Sequence, residues 1–389
     1  MILTQNLPCA KIKLSLLQGE LIMIKLTKTP GKDFTILNLS DPQLKEIEWG
    51  LNDGDPKKSE IFKYTVNELV KRSNPDLITI TGDLSYPFDM AVYDKYAEYF
   101  DKIGVPFTVV WGNHDNEIDL EPIDEMVEKL SKSQYFVFEK GPRELGSGNF
   151  VIAIEEEGKI VEGMIMMDTH DALFYLPHED TRQTIINKNI SDLMPTHRQQ
   201  ISAFEKRGYT ERDVKWMNPK ISSKQIAWYS EQVKMLKELG CTDTSLFIHI
   251  PIHAYATAFA SAFNDNYNAL EVSVEDSYKG DCWIEGYKDS FGVKHEKSPD
   301  LCNSVGCYAA DDGVFDAIKA GGTTKTVVCG HAHTNNYVIT FEGVKLAFSL
   351  KTGAGCYWNE DLNGGTVLKI SEAGVKDLYH EYVDVSHMI

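Results

Sequence analysis

The sequence is poor in the features that mark several whole classes of protein. It has no C-x-x-C pair, and its cysteines (9, 241, 282, 302, 307, 329 and 356) are odd in number. In a chain of 389 residues this is neither a disulfide framework nor a zinc-ribbon pattern, and it reads as reduced thiols in a cytoplasmic protein. No apolar run approaches the roughly 18 residues that span a bilayer. Positive charge is short as well: 39 Lys and Arg stand against 58 Asp and Glu, a net charge of −19. That balance argues against nucleic acid or an anionic membrane as a partner, since phosphates would be repelled. A phosphate-bearing substrate would have to be attracted by something other than the protein's own field, such as a metal ion. Internal repeats and a flexible interdomain linker are missing too.

The first residues lack the order of a signal peptide, because Lys11 and Lys13 occupy the place of its apolar stretch. Gln18-Gly19-Glu20 can be encoded by a purine-rich ribosome-binding sequence, and Leu21-Ile22 spaces it from Met23. The expectation is a native start at Met23, with residues 1–22 a non-native extension and 23–389 a single domain. Two long polar, weakly periodic stretches, near 170–222 and 256–310, read as insertions.

What remains alternates between strands and helices. Phe34–Ser40, Asp76–Thr81 and Pro106–Trp111 are short apolar runs that read as buried strands. Helices are expected over Lys57–Arg72, stopped by Asn74-Pro75, and over Ala91–Ile103. This alternation implies βαβ units and a mainly parallel sheet. The stretch from Tyr135 to Asp168 suggests antiparallel strands of a second sheet, and the end of the chain alternates like a β-meander. Further strands over Thr244–Ile250 and Thr324–Cys329 follow helices at Ser223–Leu239 and Asp312–Ala320.

Each strand runs into a polar cluster: Asp41, Asp83, Asn113-His114-Asp115, His249 and His331-Ala-His333. Open α/β sheets place their sites at the carboxyl ends of strands, so clusters far apart in sequence should converge. Carboxylate, amide and imidazole together suit Zn, Mn and Fe, and they are enough for two ions. Two such ions clamp an in-line displacement at phosphorus and generate hydroxide near neutral pH.

In this order, Asp41-x-Gln43, Gly82-Asp83, Gly112-Asn113-His114-Asp115, His249-x-Pro251 and Gly330-His331-x-His333 resemble the five blocks of the calcineurin-like metallophosphoesterase superfamily. The resemblance covers residues 41–333 and implies an α/β fold, a double β-sandwich flanked by helices. It further implies a dinuclear metal-dependent phosphoesterase that works by in-line attack of metal-bound hydroxide. Asp83 would bridge two divalent or trivalent ions (Fe, Mn or Zn). Asp41 and His333 would hold the first, and Asn113, His249 and His331 the second. His114 would serve as general acid, with Asp115 orienting its ring.

The first block departs from the superfamily's usual Asp-x-His. Gln43 is left as a ligand or as a contact to water or phosphate. Gly82-Asp83-Leu84-Ser85-Tyr86 resembles the Gly-Asp-x-x-Tyr block of purple acid phosphatases, whose first block also lacks the histidine and whose tyrosinate binds ferric iron. Tyr86 is a ligand, a packed aromatic or a substrate contact on this reading. Asp168-Thr169 and Gln225-x-x-Trp228 also look like that branch. His253 is a structural residue or a phosphate contact, and His170 a candidate pocket lining. Tyr255, Tyr357 and Trp358 form either a pocket wall or core. The expected partner is a small phosphate ester, a monoester first. The alternatives are a phosphodiesterase on cyclic nucleotides or small diesters, and a metal-binding regulatory or scaffold protein without catalysis.

Overall fold

The computed structural model describes residues 4–6, 11–17, 21–49, 56–86, 89–116, 120–170, 221–261, 305–307 and 313–389. Most of the two expected insertions therefore lies outside the described residues.

The apolar runs at the start of the chain form three strands buried along their whole length: β4 (Phe34–Leu39), β5 (Leu77–Thr81) and β6 (Phe107–Val110). They pair in parallel, Leu37 opposite Ile78 and Ile80 opposite Val109. Parallel strands need crossovers, and α1 (Lys57–Ser73) and α2 (Ala91–Ile103) supply them. Asn74 ends α1 in the left-handed conformation (φ 46°), its N–H donating to the Val70 carbonyl, and Pro75 prevents continuation. Two antiparallel strands, β13 (Gly364–Ser371) and β14 (Gly374–Tyr382), complete a sheet of order β14-β13-β4-β5-β6.

The second sheet is larger. Its strands are β1 (Thr4–Asn6), β2 (Lys11–Leu17), β3 (Leu21–Thr27), β7 (Phe150–Glu156), β8 (Lys159–Met166), β9 (Thr244–Phe247), β10 (Thr324–Cys329), β11 (Val338–Phe341) and β12 (Val344–Phe348). Their order is β1-β2-β3-β7-β8-β9-β10-β12-β11. The hairpin β7–β8 is the antiparallel pair expected between Tyr135 and Asp168, whereas β8, β9, β10 and β12 run parallel. In the stretch expected to be an extension, β1 and β2 pair antiparallel at the sheet edge, and β3 joins β7 from Met23 opposite Val151 onward.

Ile36, Leu77, Val110 and Leu368 of the small sheet meet Ile152, Met164, Phe247 and Val328 of the large one in a core closed to water. The outer face of the small sheet is covered by α1, α2 and α3 (Leu120–Leu130), through Phe62, Val66, Tyr96, Phe100 and Met126. The outer face of the large sheet is covered by α4 (Ser223–Glu238), α5 (Ala254–Ser261) and α6 (Val314–Gly321), through Tyr229, Val233, Phe259 and Ile318. The layers are thus helix, sheet, sheet, helix, the double β-sandwich flanked by helices.

The expected C-terminal meander is two hairpins in different sheets. β11–β12 closes the edge of the large sheet, and β13–β14 belongs to the small one. Alternation of apolar residues predicts strands, not the sheet each joins. The crossing stretch between β12 and β13 passes over the end of β4, where the Thr352 N–H donates to the Ser40 carbonyl at 2.9 Å.

One buried carboxyl in the large sheet has a measurable consequence. Glu162 on β8 is closed to water, and its Oε1 accepts from Ser245 Oγ at 2.7 Å. Burial, and then the like charge of Asp243, pushes it well above the ordinary carboxylate range. The folded chain therefore holds a proton there that the unfolded chain has lost. The resulting stability is complete below the unfolded value and fades as pH rises through the folded one. Glu162→Gln should raise the melting temperature by a few degrees at pH 8, with a gap to wild type that shrinks toward pH 4.5. Parallel melting curves across that range would contradict the assignment.

Candidate metal centre

The carboxyl ends of β4, β5, β6, β9 and β10 lie along one edge of the sandwich. Three of them, β4, β5 and β10, run into turns with left-handed backbone. Asp41, Gln43, Asp83 and His331 all have positive φ (52°, 48°, 55° and 76°). Left-handed residues other than glycine are uncommon and cluster at functional sites. Two glycines are required there by close approach. A Cβ on Gly112 would lie 2.0 Å from Asp83 Oδ1, and one on Gly330 would lie 2.1 Å from Ser40 Oγ.

These turns bring together two overlapping groups of ligand-type atoms, Asp41–Asp83–His333 and Asp83–His249–His331. Within each, the atoms lie no more than 4.8 Å apart. Asp83 belongs to both. Its Oδ1 is 3.3 Å from His249 Nε2 and accepts the His114 N–H at 2.9 Å. Its Oδ2 accepts from Gln43 Nε2 at 2.9 Å and lies 3.9 Å from His114 Nε2. Asn113 Oδ1 is 3.0 Å from His249 Nε2. Asp41 Oδ1 is 3.4 Å from His333 Nε2, and Asp41 Oδ2 accepts the His331 N–H at 3.0 Å.

Backbone carbonyls set two imidazole tautomers. His249 Nδ1 donates to the Thr81 carbonyl and His333 Nδ1 to the Tyr357 carbonyl, each at 2.7 Å. Both rings then present Nε2 to the centre, the arrangement that orients metal-binding histidines.

The electrostatics are those of a site built for cations. Burial would raise the Asp41 carboxyl, but His333 beside it holds it at about 2. Asp83 is likewise held well below the ordinary range against its burial, chiefly by His249. Burial would lower His249, yet Asp83 brings it up to about 9. Burial and the neighbouring His249 push His331 down to about 3. Two oxygens test whether ions fit. Asp41 Oδ1 and Gln43 Oε1 are buried and, among the described residues, accept no hydrogen bond. A buried acceptor without a donor is costly, and a cation relieves it. The donor set therefore fits two ions sharing Asp83.

Asp115 departs from the role expected of it. Its buried carboxylate accepts from the N–H groups of Gly112 (2.9 Å), Asp83 (2.8 Å) and Leu84 (3.1 Å), and from Tyr93 Oη (2.6 Å). It fastens the Asp83 turn to the Asn113 turn, and among the described residues none of these bonds goes to the His114 ring. The Tyr86 ring lies against that of His114, centroids 4.1 Å apart. His253 sits half-buried just before α5, and no described contact joins its side chain to the centre. Asp168 accepts from Asn116 Nδ2 at 3.3 Å and Thr169 Oγ1 from the Ile250 N–H at 3.0 Å, so this block buttresses the loops that carry Asn113 and His249. His170 Nδ1 adds a 3.3 Å contact to Asp168 Oδ2. Tyr255 is core, Trp358 packs against the core, and Tyr357 is exposed.

Sequence reasoning missed Lys351. It is buried, and its ammonium donates to the Asp41 carbonyl. Burial draws its pKa down to about 8 against the upward pull of Asp41. A lone lysine after an apolar strand carries no spacing signal that would have singled it out.

Comparison with known proteins agrees with the resemblance. The model of the calcineurin-like phosphoesterase family matches residues 34–335. A protein of Psychrobacter arcticus described as a probable cyclic nucleotide phosphodiesterase is 26% identical over 97 residues. That stretch is 24% of this chain and 35% of the relative, so only about a third of the relative's length is matched. Among solved structures, a dimetal phosphatase from Danio rerio is 12% identical, with 90% of this chain and 98% of that one covered and a TM-score of 0.43. A purple acid phosphatase from yellow lupin (Lupinus luteus) seeds is 10% identical, with coverage of 97% and 60% and a TM-score of 0.40. With the family model matched from the first strand of the small sheet to the loop beyond His333, the chain belongs to the calcineurin-like phosphoesterases, a family of metal-dependent phosphoester hydrolases.

Proposed function

We propose that this chain hydrolyses small phosphate monoesters at a centre of two metal ions. The observation that carries the reading is the pair of ligand groups sharing Asp83, with Asp41 Oδ1 and Gln43 Oε1 left over as buried acceptors. Asp41, His333 and Gln43 Oε1 hold the first ion, and Asn113, His249 and His331 the second, with Asp83 between them. When bound, two ions of Fe, Mn or Zn supply Lewis acidity and a nucleophile at neutral pH. The chain's own part is positioning. Asp41 and Asp83 stay ionised, the Thr81 and Tyr357 carbonyls hold two imidazoles in one tautomer, and His114 keeps a proton at Nε2 for the departing oxygen. The net charge of −19 would otherwise repel the substrate, so attraction is local to the centre.

A second reading, a diesterase acting on cyclic nucleotides, is favoured by the description of the Psychrobacter arcticus relative. Protein loaded with Mn, Zn or Fe and offered p-nitrophenyl phosphate and its bis ester separates the two. Faster turnover of the monoester supports the proposal, and faster turnover of the diester replaces it. No turnover of either, with one ion or none bound, makes the chain a regulatory module. Among the described residues no helix is long and apolar enough to cross a membrane. Cys241, Cys329 and Cys356 stand outside disulfides, which supports a reducing, cytoplasmic setting.

Gln43 and Tyr86 compete to complete the first ion's shell. The unpartnered Gln43 Oε1 and the packing of Tyr86 on His114 both favour the amide. Iron-loaded, oxidised protein should then be colourless, and Tyr86→Phe should keep its full metal content. A broad visible band that vanishes in Tyr86→Phe would assign the phenolate instead.

A further inference from the structure

Tyr357 stacks on the metal-site His333 and is nonetheless exposed. The stretch crossing from β12 to β13 carries it there. Gly355 is pressed onto the first metal turn so closely that a Cβ would lie 2.0 Å from the Pro42 carbonyl oxygen. Cys356 follows with φ 54°, so the backbone before the tyrosine is pinned. Its own carbonyl takes the His333 Nδ1 proton. One face of the phenol ring lies on the His333 imidazole, centroids 3.9 Å apart and planes 15° from parallel. Yet His333 is only 3% exposed, while Tyr357 is 44% exposed. Among the described residues the other exposed large apolar side chains are Leu239, just past α4, and Ile389, the last residue, so Tyr357 is the exposed aromatic. A second ring, the half-buried Tyr86, lies on His114 beside Asp83. The centre is flanked by aromatic rings on both its His333 and His114 sides.

We infer that Tyr357 is a stacking platform for the alcohol part of the substrate, and that the enzyme prefers phosphate esters whose alcohol carries a planar aromatic ring. The inference rests on the phosphoesterase reading and names its substrate class. The ring is held rigidly by groups that also fix a metal-site histidine, so little freedom remains to be lost on binding. Its outward face meets water, and any planar π system satisfies it, which makes the preference one of ring against no ring. Nucleotides and simple aryl phosphates share this chemistry.

The test compares AMP, phenyl phosphate and glycerol 2-phosphate with the Mn-loaded protein. In Tyr357→Ala, the ratio of KM for an aromatic ester to KM for glycerol 2-phosphate should rise ~10-fold to ~100-fold, the worth of one base–aromatic stack, and Tyr357→Phe should restore it. A rise confined to AMP makes the substrate a nucleotide, and one confined to phenyl phosphate makes it an aryl ester. An unchanged ratio overturns the inference. So does an equal loss on all three esters with loss of metal, which would make Tyr357 a shield for His333. Calorimetric titration with AMP needs no turnover: weaker AMP binding in Tyr357→Ala, with inorganic phosphate binding as in wild type, upholds the platform even if hydrolysis of every ester fails. Equal AMP binding by the two proteins overturns it.

Discussion

Alanine at position 83 should yield a folded protein that retains neither metal ion and shows no measurable turnover. Asp83 is the residue common to both ligand groups, and its two oxygens face different neighbours. Oδ1 lies by His249 and Oδ2 by Gln43 and His114. The Asp83 side chain is 1% exposed. Removing it leaves the His249, His331 and His333 imidazoles around a single remaining carboxylate, Asp41, too little negative charge for two cations. The turn itself is held by backbone bonds that alanine keeps: the Asp83 N–H to Asp115 and the Asp83 carbonyl to the Gln43 N–H. Elemental analysis should fall from two ions per chain to none, and kcat/KM by more than ~10⁴-fold, the upper range for a lost acid–base group alone. Asp83→Asn, which keeps the shape and loses the charge, should retain one ion at most. Two ions retained in Asp83→Ala would remove Asp83 as the bridge.

His114→Ala should do the opposite, keeping both ions and losing rate. The His114 ring belongs to neither ligand group. Its contribution to the Asp83 carboxylate is a backbone N–H at 2.9 Å, which alanine preserves. The imidazole Nε2 at 3.9 Å from Asp83 Oδ2 is near enough to the bridge to serve a reacting phosphate. Loss of an acid catalyst costs ~10²–10⁴ in kcat. The variant should show that loss with unchanged metal content, and a pH–rate profile without the limb that reports an acid in the enzyme–substrate complex. Metal loss in this variant would make His114 a ligand.

Much of this arrangement is legible in the chain. Asp41, Asp83 and Asn113 each lie just beyond a short, mostly apolar and β-branched run, and parallel strands bring such ends to one edge, whatever their distance in sequence. Neighbours across the edge are less legible. Asp115 follows His114 directly, yet its carboxylate reaches back to the Gly112 N–H, because a tight turn sends successive side chains to different sides. Residues 364–382 alternate as strands should, but alternation cannot say that they pair with β4 and leave the β11–β12 hairpin behind. Lys351 and Tyr357 lie on the stretch that makes this crossing. Their place beside Asp41 and His333 depends on where the chain changes sheets, which no local periodicity records.

The claim on which the rest depends is that two ions share Asp83. Anomalous diffraction at the manganese edge, from crystals grown with manganese, tests it most directly. The account predicts two peaks per chain, one within the Asp41–Asp83–His333 group and one within the Asp83–His249–His331 group. A single peak, or full occupancy elsewhere with both groups empty, would contradict it.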